Sequence, residues 1–584
     1  MSGSVEAGRD PEFDVVVVGS GAGGMVAAIR AHDQGLSALV VEKTDKFGGT
    51  SAMSGGGIWV PNTEQSKKAG FKDSPEEAFE YVKAAAQGRV PESRIRAYLE
   101  NALKLERWLD ENTHLHYLVV PKYPDYYAWL PGAKPGYRTM EPRRFDARKL
   151  GDELKNLRIP TNLISMAGAS MSQIDAYVMV SKQPGWMLLV LWRVLGYWTD
   201  FPWRLKSKVD RRMTMGTAMA ASLRASMLDR KIPLWLNTPF EDLIVEDGRV
   251  VGITAKQGGK TIRIRARRGV ILAAGGFERN QEMREKYLPK PTDSHWPVTP
   301  PEANTGDAIA AGIKAGAAVD LMDMLWGVPV VGEPGGPSQR ALFVERSLPG
   351  SVMVNKFGKR FVNEALAYPD LVNEIYKDKE KTGGGVPAWL IIDADFRRKY
   401  LFGPLMPGSI QPDSRLPKDW LGKVFFRANT LDELADQIGV DKAGLKDTIA
   451  RMNQYAKEGV DPEFHRGRDP IDLYYGDSTN KPNPCLAPIA KPPFYALQVY
   501  PGDTGTKGGL LTDEHAQVLT EAGQPIPGLY AIGNTSASVM GPSYPGPGST
   551  LGPAVTFGWV AANHIASVAA AESNSGVIAR NAAE

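Results

Sequence analysis

Phe13-Asp14-Val15-Val16-Val17-Val18-Gly19-Ser20-Gly21-Ala22-Gly23-Gly24 is the stretch on which the fold turns. Its four valines are β-branched and apolar, and the run is too short for a helix, so it predicts a buried parallel strand. The strand breaks directly into glycines. Met25 to Gln34 then reads as a helix stopped by Gly35, Ser37 to Val41 as a second strand, and Glu42 stands at that strand's end. This is a complete βαβ unit. Gly19 permits the tight turn, Gly21 lets a pyrophosphate approach the backbone, and Gly24 lets helix and strand pack closely. Unpaired amides at the helix N-terminus would meet the phosphates. Glu42 would accept hydrogen bonds from the adenosine ribose hydroxyls, which disfavours a phosphorylated ribose. A glycine-rich turn alone is a weak signal; here strand, helix, second strand and terminal acid agree.

Outward from this unit, Glu42-Lys43 is followed by Phe47-Gly48-Gly49-Thr50-Ser51 and Ser54-Gly55-Gly56-Gly57-Ile58-Trp59. Two glycine-rich stretches so close together read as extended backbone lying along a long cofactor. Val270-Ile271-Leu272-Ala273-Ala274-Gly275-Gly276 is a second apolar strand breaking into glycines, and Gly528-Leu529-Tyr530-Ala531-Ile532-Gly533-Asn534 is a third. The cofactor domain is therefore expected to be discontinuous: residues 10–300, an insertion at 301–486, a return at 487–572 and a tail at 573–584. Inside the insertion, Asn304-Thr305-Gly306-Asp307 opens a helical stretch. Val352-Met353-Val354-Asn355 begins a predicted strand-turn-strand unit reaching Arg360-Phe361-Val362-Asn363-Glu364.

Composition narrows the class. The 584 residues carry 69 Lys+Arg against 66 Asp+Glu, a formal charge of +3, which gives no support to nucleic-acid binding through a dominant basic surface. With 43% hydrophobic and 23% charged residues the chain is globular and large enough for two or more domains, which excludes disorder, collagen and coiled coil. Its single cysteine, Cys485, permits no internal disulfide and no Cys-based metal site; no metal is expected. The first ten residues lack a basic segment followed by an apolar one, so the expectation is a cytoplasmic protein without a secretory signal.

The three strand-then-glycine segments resemble the two-dinucleotide-binding-fold flavoproteins, in the branch shared by fumarate reductases and 3-ketosteroid dehydrogenases. The resemblance implies an α/β fold: a Rossmann-like FAD-binding domain with an inserted α+β catalytic cap, and an active site at the seam. Asn534 stands where many such proteins carry an Asp for the ribityl chain. The helix after Gly548-Ser549-Thr550-Leu551-Gly552-Pro553-Ala554 would turn its positive end to the flavin pyrimidine edge. No His lies in an attachment motif near the N-terminus, so FAD is expected to be noncovalent. None of the 7 histidines stands where fumarate reductases grip a dicarboxylate, and Asp503-Thr504-Gly505-Thr506-Lys507-Gly508-Gly509 lacks their His before the paired glycines. Lys507 reads as structural.

Three tyrosine-bearing stretches are similar to the 3-ketosteroid Δ1-dehydrogenase family: Tyr123-Pro124-Asp125-Tyr126-Tyr127, Asn363-Glu364-Ala365-Leu366-Ala367-Tyr368 and Ser543-Tyr544-Pro545-Gly546-Pro547-Gly548. The similarity extends over nearly all the chain, including Phe464-His465-Arg466-Gly467. It implies 1,2-desaturation of a 3-ketosteroid or sterol-derived 4-en-3-one. Tyr544 and the Gly548 amide would polarise the ketone, Tyr368 would take the C2 proton with help from Tyr126, and flavin N5 would receive the C1 hydride. The electron acceptor would be a quinone or another oxidant. Rival readings are a Δ4-(5α) desaturase, an ene-type reductase, and an idle flavin- or lipid-binding protein.

The most apolar run, Trp186 to Trp198, contains Arg193 and is shorter than the roughly 20 residues needed to span a bilayer. Trp186, Trp192, Trp198 and Trp203, followed by Arg204, Lys206, Lys208, Arg211 and Arg212, make 184–212 a candidate for peripheral contact with the inner face of the cell membrane. The alternative is a buried core helix.

Overall fold

The computed structural model describes residues 10–160, 165–332 and 339–581. The stretch read for a leader lies outside these except for Asp10, as do the last three residues of the expected tail. The opening valines form the strand Glu12–Val18, followed by the helix Ala22–Asp33 and the strand Ala38–Val41. The helix starts inside the glycine run, three residues before the predicted Met25, because Gly21 is already its extended N-cap.

An eight-stranded sheet grows from this unit, with Leu234–Trp235, Ala38–Val41, Glu12–Val18, Lys260–Leu272 and Pro525–Ala531 running parallel. Val15 and Val17 point into one core, Val16 and Val18 into another, so both faces of the strand are covered. Val16 pairs in register with Val270, Val18 with Leu272, and Leu272 with Ala531. That register brings the three glycine-bearing strand ends to one edge.

The second sheet is antiparallel, ordered Arg340–Ala341, Leu325–Val331, Phe494–Thr506, Ala388–Ile392, Ser351–Val354, with Phe426–Ala428 also paired to Phe494–Thr506. Packing changes character near residues 325 and 506 rather than at 301 and 486. The helix Asp307–Lys314 buries Ala308 and Ile309 in a core of the eight-stranded sheet, while Phe494–Thr506 is a central strand of the antiparallel one. The predicted strand-turn-strand unit reduces to the strand Ser351–Val354 and one isolated bridge, Val354–Arg360. Its return arm is diverted by charge: Arg360 pairs with Glu364 and Asp461 at 2.8 Å each, and Glu364 also takes Arg466 at 3.0 Å, all buried.

Residues 573–581, expected as tail, continue the helix Leu551–Asn581. Its Leu551–Ala571 part is long and apolar enough to cross a membrane, but it packs on Ala22–Asp33 with Val555, Phe557, Ala561, Ala562 and Ile565 buried. This is the interior helix of a layered domain.

Candidate active site

The edge shared by the three glycine-bearing strand ends is a slot. A Cβ placed on Gly21 would meet nothing nearer than Ser51 Oγ at 3.5 Å, and one on Gly49 nothing nearer than the Gly21 Cα at 3.9 Å. Gly533, at φ +60°, has only the Ala554 Cβ at 3.3 Å. Gly19, Gly23 and Gly24 are different, because a Cβ on each would strike backbone oxygen at 2.2–2.6 Å. They close the turn and seat the 551–581 helix, whereas Gly21 and Gly49 leave backbone free for a ligand. At the slot's far end Glu42 Oε2 accepts from the Ser20 N–H (3.1 Å) and hydroxyl (2.6 Å), and Oε1 from the Thr44 N–H (3.0 Å) and hydroxyl. Glu42 is thus held by the two turns that flank the end of the slot.

Other slot residues are held from behind. Lys43 Nζ donates to Thr305 Oγ1 at 2.6 Å and Asp307 Oδ2 at 2.8 Å, and Asn304 donates to Thr50 Oγ1 at 2.7 Å. The Ser51 hydroxyl accepts from the Ala22 N–H, and Gly48 N–H donates to Ser20 Oγ. Gln173 Nε2 donates to the Gly55 carbonyl and lies over Gly57, while Gly56 packs on Met215. Gly275 backs onto Asn304, and Asn534 Oδ1 accepts from Trp326 Nε1 at 3.0 Å. Gly552, Pro553 and Ala554 form the first turn of the 551–581 helix at the slot's edge. A long glycine-walled groove with an acid at one end and a helix N-terminus at the other fits FAD. Among the described residues no His, Cys, Asp or Glu cluster is arranged for a metal.

Beside the slot the three expected tyrosines meet. The Tyr126 and Tyr544 rings stack at 5.5 Å, Tyr368 meets Tyr544 at 5.4 Å, and Tyr368 meets Tyr126 edge-on at 5.9 Å. Each comes from a different framework. Tyr126 sits on a loop pinned by buried Asp125, which accepts from Trp59 Nε1 (2.8 Å), the Lys134 N–H (2.9 Å) and Arg138 (2.7 Å). Its own N–H donates to the Pro545 carbonyl, tying it to the Tyr544 loop. Tyr368 opens the helix Tyr368–Thr382, and the loop before it is fixed by Glu364 between Arg360 and Arg466. Gly548, at φ +97°, lies against Ile58 and Trp59, where a Cβ would come within 2.4 Å of the Ile58 carbonyl carbon. Glycine is thus required there by the protein's own backbone.

Burial pushes the Tyr368 phenol well above its usual range, and Tyr544 adds to this while the Tyr126 hydroxyl opposes it. Tyr126 and Tyr123 are likewise pushed up by burial. The cluster extends beyond the expected residues: Tyr123 Oη lies 3.4 Å from Tyr126 Oη and shares a hydrogen bond with the Tyr475 hydroxyl. Tyr475 is pushed up only to about 12, because its bond to Tyr123 and the Arg346 guanidinium counter its burial. Arg346 is buried and donates to the carbonyls of Leu342, Glu364 and Leu366, so its charge is held beside the phenols. Tyr123, Tyr475, Tyr127, Trp326, Arg346 and Phe343, which meets Tyr368 edge-on at 5.1 Å, are not among the residues expected from the sequence. The Tyr-Pro-Asp-Tyr-Tyr string offered the first and third of these; the others carry no local signal.

The FAD binding domain family matches residues 14–551. The chain is 57% identical to the crystal structure of 3-ketosteroid Δ1-dehydrogenase from Sterolibacterium denitrificans in complex with 1,4-androstadiene-3,17-dione, with a TM-score of 0.93, covering 95% of this chain and 100% of that one. It is 45% identical over 570 residues to a 3-oxosteroid 1-dehydrogenase of Mycolicibacterium smegmatis, covering 96% of this chain and 98% of that protein. A 3-ketosteroid-Δ4-(5α)-dehydrogenase from Rhodococcus jostii RHA1 is 25% identical with a TM-score of 0.63, covering 96% and 98%. The chain belongs to the FAD-binding flavoproteins of the 3-ketosteroid Δ1-dehydrogenase family.

Proposed function

We infer that this protein is an FAD-dependent 3-oxosteroid 1-dehydrogenase, converting a 3-oxo-4-ene steroid into its 3-oxo-1,4-diene. The observation that carries the reading is the convergence of Tyr126, Tyr368 and Tyr544 beside the dinucleotide slot. Hydrogens on C1 and C2 leave only if the C2 proton is first acidified by polarising the C3 ketone. The Tyr544 hydroxyl and the Gly548 N–H are the donors for that oxygen. The Tyr368 oxygen takes the C2 proton as a general base. Because its burial disfavours the phenolate, the Tyr126 hydroxyl supplies the opposing stabilisation, with the Arg346 charge acting in turn on Tyr126 and Tyr475. Bound FAD supplies a hydride acceptor for C1. Incubation of the FAD-loaded protein with androst-4-ene-3,17-dione and an artificial acceptor tests this: the 1,4-diene is expected, and a 5α-related product or no turnover overturns it.

The reading extends to location: a cytoplasmic protein resting on the inner face of the membrane through 184–212, passing electrons to a quinone in that bilayer. Leu188, Leu191, Trp192, Leu195 and Trp198 line one side of the helix Trp186–Trp198, each about half exposed or more, and Phe201 and Leu205 extend the patch. Such exposure favours an interfacial segment over a core helix. Arg193, which interrupts the apolar run, turns inward to Asp175 at 3.0 Å. Arg211 and Arg212 pair with Asp146, Asp200 and Asp210, and Arg204 donates to the carbonyls of Lys208 and Val209, which leaves Lys206 and Lys208 as the border cations best suited to anionic headgroups. The neighbouring helix Gln173–Val180 carries Tyr177, which stacks on Tyr474 at 4.3 Å; Tyr474 stacks on Tyr123 at 4.3 Å, beside the catalytic cluster. A sterol leaving the bilayer at this patch thus arrives next to the site, and long side-chained 4-en-3-ones are as suitable as C19 steroids. Deletion of 185–202 is expected to move activity from membrane pellet to supernatant; an unchanged distribution rejects the attachment.

A further inference from the structure

We propose that Lys507, Asp370 and Tyr127 form a frame that fixes the ketone-binding Tyr544 relative to the proton-accepting Tyr368. This inference rests on the reading given under Proposed function and adds three positioning residues to it. Lys507 is 2% exposed, and its Nζ donates to the carbonyls of Pro542 and Ser543, the two residues before Tyr544. The next amide, Tyr544 N–H, donates to the Tyr127 hydroxyl at 3.0 Å, and that hydroxyl donates to Asp370 Oδ1 at 3.3 Å. Asp370 lies in the first turn of the helix that Tyr368 opens. One hydrogen-bonded path therefore runs from the Tyr544 main chain through Tyr127 to the turn holding Tyr368.

A second contact path reaches the Tyr544 ring. The Lys507 ammonium lies 4.8 Å from the centre of the Trp326 ring, and Trp326 meets the Tyr544 ring edge-on at 5.1 Å. Three consecutive main-chain groups are thus anchored on the polar side and the ring is braced on the other. The ketone donor must sit where negative charge develops on the C3 oxygen, and the base must sit over C2 of the same ring. A loop that shifts by a fraction of an ångström would lose both alignments together. A buried ammonium satisfied by two carbonyls, with the Asp370 carboxylate joined to the same loop through the Tyr127 hydroxyl, resists such a shift more than a neutral side chain of equal length.

The test uses the FAD-loaded full chain with Lys507→Met, which keeps most of the stem, and Tyr127→Phe, which deletes one hydroxyl from a packed ring. Flavin content and Tm are recorded, then turnover per bound flavin with ordinary and 2,2-dideuterated androst-4-ene-3,17-dione. The frame predicts at least a tenfold fall in kcat per flavin in each variant, with a larger C2 isotope effect than wild type because proton removal becomes more limiting. Asp370→Asn, which keeps an acceptor for Tyr127, is expected to retain more turnover than Asp370→Ala. Unchanged turnover per flavin, or slower turnover with an unaltered isotope effect, overturns the frame. If Lys507→Met fails to fold or load flavin, Tyr127→Phe decides. A wild type that forms no 1,4-diene counts against the proposed function; a wild type that forms it beside unaltered variants counts against the frame alone.

Discussion

Tyr126 and Tyr544, contributed by opposite ends of the chain, stack with their planes 22° apart and are joined through the Tyr126 N–H to the carbonyl of Pro545. The phenol proposed to bind the ketone and the phenol proposed to support the base are therefore one packed unit.

Tyr544→Phe keeps this stack and removes only the donor. Loss of one donor to a developing oxyanion costs about 10²–10³ in kcat. Rapid reduction of the bound flavin by substrate should show that loss with flavin content unchanged; an unaffected rate removes Tyr544 from ketone polarisation.

Tyr368→Phe removes the proton acceptor and should lower turnover by about 10²–10⁴, the range for a positioned general base. Tyr126→Phe should lower it less, because the acceptor oxygen remains. Equal losses, or a larger loss at Tyr126, would reassign the base.

Stability at high pH follows from the buried phenols. Burial raises the folded-state pKa of Tyr123, Tyr126 and Tyr368 well above that of the unfolded chain, about 10. Their neutral forms thus favour the fold fully below pH ~10, and this contribution is lost as pH rises above it. Thermal melts from pH ~9 to ~11.5 should show a steep fall in Tm, shallower in Tyr123→Phe; parallel curves would contradict this.

Glu364→Gln leaves Arg360 with Asp461 but strips Arg466 of its only ion-pair partner among the described residues. Removing one partner of a buried pair costs about 3–5 kcal/mol. Calorimetry should register a clear drop in Tm, and weaker turnover should accompany it because the same loop delivers Tyr368. A melt like the wild type would show that the network contributes little.

Leu188→Glu combined with Trp192→Glu places two charges on the exposed apolar face without touching Arg193. Co-sedimentation with anionic vesicles should fall at least tenfold while turnover of a water-dispersed C19 steroid persists. Undiminished vesicle binding would place the contact elsewhere.

The cofactor side was legible because it is written locally. Four valines, a glycine turn and Glu42 lie within thirty residues, and the two later strand ends repeat the pattern. The tyrosine trio required family resemblance, since nothing near Tyr368 alone distinguishes it from the other phenols. Lys507 read as structural, because the carbonyls it holds and the helix bearing Asp370 are far away in sequence. The same distance hid Tyr475, whose partner Tyr123 is 352 residues away, while Arg346 donates to main-chain carbonyls, which leave no mark in the residue types. The expected turn after Val354 looked like a hairpin by hydrophobic pattern, but Arg360, Glu364 and Asp461 prefer one another to a ladder. Residues 573–581, expected as part of a tail, instead continue the helix Leu551–Asn581.

The strand Phe494–Thr506 begins deep in the cap and finishes against the flavin half, where Thr506 Oγ1 accepts from the Phe277 N–H and Asp503 grips Arg284 at 2.8 Å with neither side chain exposed. A jaw-like opening about a flexible joint would have to tear this strand from one of its anchors. Steroid traffic is therefore expected to depend on local side-chain and helix adjustments at the rim, so cross-linking the two halves far from the rim should leave catalytic cycling intact.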